Sequence, residues 1–252
     1  MFVKSLTEVN NLFSNNSHLG FTLNQWKEKQ HSFLEIFSVD IEPLIDILHK
    51  RPFDRILEYS RSEHVLWQPN GIRINEFRVR PQNRYYDALK KPIPQPDNPK
   101  GPHAYGVELC VGVNRGINEG KVFYPSFVEI KFVIWGHEER RGFISFYRNY
   151  RRPIELLLRD LEFEFFTACC FKNLDRYKGT DIMKKLDLYI SNKNDPEAFF
   201  SVGRCFNKNA ELERVSKVFR NLLILYHCCL GYCQENRQLD RVINLYHAYL
   251  TG

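Results

Sequence analysis

The run Lys121 to Trp135, KVFYPSFVEIKFVIW, constrains this chain most, because it is the longest β-like stretch and carries two opposite charges inside it. From Val128 onward, Val128, Ile130, Phe132 and Ile134 recur at every second residue, so a strand places them on one face and Glu129, Lys131 and Val133 on the other. The first face is expected in a core. The second is expected to meet water, a neighbouring strand's charges, or the lip of a site.

A chain of 252 residues with 43% hydrophobic residues is long enough to bury a core without staples. It has no apolar run of the ~20 residues needed to span a bilayer, and MFVKSLTEVNNLF is not built like a secretory leader. No membrane association and a cytoplasmic location are therefore expected. The cysteine count of 7 is odd, and six of these residues fall in the last third beside Leu, Phe and Tyr. Buried free thiols explain them best. Cys229 and Cys233 lie four residues apart near His227, but lack a second Cys/His pair at finger-like spacing. The 36 Lys and Arg against 30 Asp and Glu give a net charge of +6, which suits a polyanionic partner without requiring one.

Taken in order, the chain opens with helical signals. Ser5 and Glu8 have capping-box spacing, as do Thr22 and Gln25. Leu23, Trp26, Phe33 and Phe37 predict a second helix, and a third is expected from Asp40 with Ile41, Leu44, Ile45 and Leu48 as its stripe. Pro69-Asn70-Gly71 between two β-like runs predicts a hairpin. The five prolines between Pro92 and Pro102 predict an insertion loop. Strands are then expected over 103–114, over 121–135, where Pro125 marks a bulge or edge, and over 143–150. From Pro153 the reading is helical: a buried helix through IELLLRDLEFEFFTACCF, then helices over 181–190, from Asp195-Pro196, over 211–232 and over 236–250.

The expected fold class is α+β, with N-terminal helices, a mostly antiparallel sheet of about five strands and a C-terminal helical layer. It is read as a single domain, 1–252. Residues 1–62 form the helical segment, 63–152 the sheet with its Pro-rich loop at 92–102, and 153–252 the helical layer.

Two carboxylates beside an ammonium can bring a hard cation to a phosphodiester and stabilise the charge of its hydrolysis. Glu129-x-Lys131 on a strand resembles the Glu-x-Lys of the PD-(D/E)xK, restriction-endonuclease-like nucleases. That resemblance implies a Mg²⁺-dependent endonuclease with Glu129, Lys131 and Glu108 as catalytic residues. Its metal ligands would be Glu129 with Glu108, or Asp97 in Pro96-Asp97. A cross-strand ion pair on a solvated face accounts for the same two letters.

Arg140, Arg141, Arg148, Arg151 and Arg152 alternate with Phe143, Phe146, Tyr147 and Tyr150, which suits nucleic acid: arginines grip phosphates while aromatic rings stack on unpaired bases. Arg220-Asn221 followed by His227 is similar to the Arg-x(4–6)-His motif of HEPN ribonucleases, which implies metal-independent RNA cleavage. The remaining alternative is a non-enzymatic module that docks a protein partner or a second copy. Phosphate-cradling glycine loops, His-Glu-x-x-His helices and Gly-x-Ser-x-Gly elbows are absent from the sequence.

Overall fold

The structure is a computed structural model that describes residues 1–14, 23–51, 53–55, 57–61, 65–68, 71–81, 107–118, 121–122, 127–134, 137–159, 164–168, 175–178, 181–191 and 199–233. These form a mixed α+β protein. Its helices are α1 (Val3–Ser14), α2 (Leu23–Leu48), α3 (His137–Arg159), α4 (Asp181–Ser191) and α5 (Leu212–Cys233), with one 3₁₀ turn at Phe53–Arg55. Its strands are β1 (Leu57–Arg61), β2 (Val65–Gln68), β3 (Gly71–Pro81), β4 (Val107–Asn118), β5 (Lys121–Val122), β6 (Phe127–Ile134), β7 (Glu164–Ala168), β8 (Asp175–Lys178) and β9 (Phe199–Phe206). Among the described residues no helix is long and apolar enough to cross a membrane.

The chain divides into two compact units, one of Met1–Arg80, Cys110–Ile130 and Cys205–Phe219, the other of Pro81–Leu109, Lys131–Arg204 and Arg220–Gly252. In the first unit, Phe33, Phe37, Ile41, Leu44 and Leu48 are buried along one stripe of α2, and Phe2, Leu6 and Val9 are buried from the α1 side. The Phe33 and Phe37 rings stack with centroids 6.0 Å apart. Each such side chain contributes about 1.5–3 kcal/mol by leaving water.

The sequence predicts helix starts at Thr22 and Asp40, but a single helix runs from Leu23 to Leu48 and carries Pro43 inside it. Asp40 has a different task. It is only 9% exposed, and its Oδ2 accepts the Ser5 backbone N–H at 3.0 Å and the Ser5 hydroxyl. Ser5 lies in the first turn of α1, where N–H groups have no carbonyl of their own helix to bond. A carboxylate from another helix therefore caps α1 and meets the positive end of its dipole. The predicted local capping box is replaced by a contact spanning 35 residues.

In this unit β3 lies between β1 and β4, β4 lies beside β6, β2 pairs with β3, and β5 pairs with β4. The predicted hairpin is present: β2 and β3 pair antiparallel with Gln68 opposite Gly71 and Val65 opposite Ile74. Strand β4 runs past the expected end at residue 114, because Ile117 pairs with Val122 and Asn118 with Lys121. The long run at 121–135 is described as β5 and β6, and the bulge expected at Pro125 lies outside the described residues, as do Asp97, the 92–102 loop and the 236–250 helix. Residues 1–62, expected as a helical segment, are not wholly helical, since β1 lies within them.

The second unit departs further from expectation. The predicted strand at 143–150 is part of helix α3. The predicted buried helix through residue 171 stops at Arg159, and Glu164–Ala168 is strand β7. Phe199–Phe206 is strand β9, so the last third is not a purely helical layer. β7 pairs antiparallel with both neighbours, Phe165 lying opposite Tyr177 of β8 and Val202 of β9. Aromatic and β-branched residues decide these segments for strand. Helices α4 and α5 match the predicted spans to within about one residue.

Replacing Asp40 by Ala leaves the buried Ser5 donors without their acceptor. Urea unfolding should show a loss of about 1–3 kcal/mol, whereas an unchanged midpoint would mean that α1 is capped otherwise.

Candidate functional site

Helix α3 carries all five candidate arginines. Phe143, Phe146, Tyr147, Tyr150, Ile154, Leu157 and Leu158 fall at i, i+3, i+4, i+7, i+11, i+14 and i+15, which gathers them on one side of a helix. Phe143 is fully buried, and Phe146 and Tyr147 are each 2% exposed. Phe143 is the centre of the cluster, with ring centroids 6.1 Å from Phe132, 6.4 Å from Phe146 and 6.3 Å from Tyr147. Phe146 also meets Tyr150 at 5.5 Å. The expectation that these rings stack on bases from a strand is therefore corrected: Phe143, Phe146 and Tyr147 are core residues of a helix.

The helix is bent. Tyr150 has non-helical backbone angles (φ −126°, ψ 30°), and Pro153 follows three residues later. Proline cannot donate to the carbonyl four residues back, that of Asn149, and its ring crowds that carbonyl, so the axis breaks just upstream. The far end is held by Asn221, 8% exposed, whose side-chain amide donates to the Leu157 carbonyl at 3.3 Å. That carbonyl is among the last in α3, where intrahelical donors run out.

Opposite the aromatic ridge, Ser145, Arg148, Asn149, Arg151 and Arg152 are exposed. Arg140 and Arg141 lie toward the N-terminal end of the same helix. Arg151 differs from its neighbours because α4 supplies it with Asp187. Its Nη2 donates to Asp187 Oδ2 at 2.9 Å, its Nη1 lies 3.5 Å from Glu155 Oε2, and Tyr147 Oη donates to Asp187 Oδ1 at 2.8 Å. The hydrogen bond from Arg151 holds the Asp187 carboxyl below its ordinary pKa, partly opposed by burial. Burial, then the bond to Asp187, raises the Tyr147 phenol above its ordinary value. The cluster at Tyr147, Arg151 and Asp187 was not anticipated from sequence. Tyr147 and Arg151 are four apart, so a helical reading of the segment would have paired them.

The Glu-x-Lys residues sit on β6. Lys131 is only 6% exposed and Glu129 is half-buried, while every residue from Ile130 to Ile134 is buried. Of the surroundings expected for this face, open water does not apply at Lys131, and the run from Ile130 to Ile134 reads as an interior strand. Glu108 lies on β4, a strand beside β6. Asp97 lies outside the described residues. Among the described residues no group of three or more His, Cys, Asp or Glu is gathered as a metal site.

The Arg220 and His227 pair runs into the core. Arg220 is half-buried, His227 is 2% exposed, and burial lowers the His227 pKa to about 4. Cys228 beside it is pushed up to about 12 by burial, which makes it an inert thiol at neutral pH. Asn221, part of the same motif, is the residue that caps α3.

No family model, curated protein or solved structure gives a significant match to the chain.

Two outcomes follow from these titrations. In an NMR pH titration the Asp187 carboxyl should titrate below the ordinary carboxylate range and move upward in Arg151→Ala; an unmoved midpoint would rule out the arginine as cause. His227 has a folded pKa of about 4 against an ordinary 6.5, so between these pH values the unfolded chain binds a proton that the folded chain refuses. Its contribution is therefore complete above about pH 6.5 and declines on acidification to about pH 4, by roughly 3 kcal/mol. His227→Leu should flatten that slope of unfolding free energy against pH. An equal slope in both proteins would contradict the assignment.

Proposed function

We propose that this protein acts on nucleic acid, and that the solvent-facing arginines of α3 hold the phosphate backbone. The observation that carries the reading is the placement of Arg148 and Arg152: both are exposed, on a helix whose other side is locked into a core by Phe143, Phe146 and Tyr147. Cations fixed on a rigid element meet phosphates with little further ordering, and they release the counterions condensed on the polyanion. Arg140 and Arg141 extend the same basic series, and the net charge of +6 favours approach to a polyanion.

In its hydrolytic form the proposal gives Mg²⁺ to Glu129 with Glu108 or Asp97, and the role of catalytic cation to Lys131. The chemistry it needs is a metal-polarised phosphate and a nearby ammonium. A cytoplasmic setting goes with this reading, supported by the free thiols of Cys110, Cys205, Cys228 and Cys229. The finer fold that accompanies it is a mostly antiparallel sheet, supported by the antiparallel pairs β2/β3, β4/β5, β7/β8 and β7/β9.

Fluorescence anisotropy with labelled nucleic acid tests the binding step in the absence of divalent cations. Arg148→Glu combined with Arg152→Glu should weaken binding by about tenfold or more, and the wild-type affinity should fall steeply between about 50 and 200 mM salt. Equal affinity in variant and wild type would remove α3 from the interface. Adding Mg²⁺ then tests hydrolysis: cleavage that disappears in Glu129→Ala supports the endonuclease form, and intact substrate limits the protein to binding.

A further inference from the structure

We infer that the nucleic acid held by α3 is a duplex, gripped through its phosphates alone, with Asp187 keeping Arg151 out of the contact. This rests on the nucleic-acid reading of Arg148 and Arg152 and narrows it to a substrate class. Proteins that bind single strands combine a cationic groove with exposed aromatic rings on which unpaired bases stack. In α3 the rings face the other way. Phe143 is fully buried, Phe146 and Tyr147 are 2% exposed, the Tyr147 hydroxyl is committed to Asp187, and the half-buried Tyr150 packs against Phe146.

What the exposed face offers is Arg148 and Arg152, together with the polar side chains of Ser145 and Asn149. Cations and polar groups of this kind address phosphate and sugar oxygens, and such contacts position a protein without reading sequence. A duplex suits them best, because it presents about one negative charge per 1.7 Å of axis while its bases stay stacked inside.

Asp187 sets the limit of the contact. Its carboxylate already holds Arg151 through Nη2 at 2.9 Å and Nε at 3.4 Å, and it places a negative charge at the border of the arginine face. A phosphate approaching Arg151 meets a guanidinium already shared with Asp187 and, at 3.5 Å, with Glu155, two carboxylates that oppose its charge. Arg148 and Arg152 therefore supply the binding charge, and Asp187→Asn is a gain-of-binding substitution.

The test compares a labelled duplex of about 20 base pairs with either of its strands alone, in EDTA, across about 50–200 mM salt. The duplex should bind more tightly than the single strand by about tenfold. Tyr150→Ala should leave duplex affinity within about twofold. Asp187→Asn should tighten duplex binding several-fold and steepen its log–log salt slope by about one, as expected for one added phosphate contact. Stronger binding of the single strand, weakened by Tyr150→Ala, would overturn the duplex inference and leave the nucleic-acid reading standing. Loss of duplex affinity in Asp187→Asn would overturn the role given to that carboxylate. Absence of binding to both probes would overturn the nucleic-acid reading and this inference with it.

Discussion

The burial of the aromatic ridge of α3 is the constraint on which the rest of this account depends. Phe143, Phe146 and Tyr147 remove large rings from water, each at a gain of about 1.5–3 kcal/mol, and no rotation of the helix keeps them buried while burying Arg148 and Arg152 as well. The arginines face solvent for that reason. The same rotation brings the Tyr147 hydroxyl to Asp187 and sets Arg151 beside it. Core packing and the charge pattern of the candidate interface are thus two consequences of one orientation.

Polar residues inside the cores act as ties between elements distant in sequence. Asp40 of α2 satisfies Ser5 in the first turn of α1, and Asn221 of α5 satisfies the Leu157 carbonyl near the end of α3. In both cases a helix terminus, where backbone groups lack intrahelical partners, is closed by a side chain from another helix. Buried polar groups of this kind are costly to leave unmade, so they specify which helix packs where as well as adding stability. His227 lies in the same helix as Asn221: burial holds it neutral down to about pH 4.

Much of the local structure was legible in the sequence. Pro69-Asn70-Gly71 marked a hairpin whose register closes at Gln68 and Gly71, and the expected spans 181–190 and 211–232 correspond to α4 and α5. The segment 143–150 was misread because its aromatic residues suit a strand; Phe143, Phe146, Tyr147 and Tyr150 fall at i, i+3, i+4 and i+7, and the continuation through Ile154, Leu157 and Leu158 selects the helix. Residues 164–168 were misread because an apolar run after a true helix looks like its extension until the Phe-rich stretch is weighed for strand. For the Glu-x-Lys face, alternation alone did not show that Lys131 is buried, because it cannot tell a strand covered on one face from one covered on both. Asp187 had no local signal at all, because its partners lie 36 and 40 residues away.

Residues 137–159 form a helix, broken at Tyr150, with Phe143, Phe146 and Tyr147 inward and Arg148, Arg151 and Arg152 outward. Backbone NMR chemical shifts test it most directly. The account predicts helical Cα shifts through Phe143 to Asn149 and again from Arg151 to Arg159, with a local departure at Tyr150. Extended-strand shifts across Phe143 to Tyr150 would contradict it.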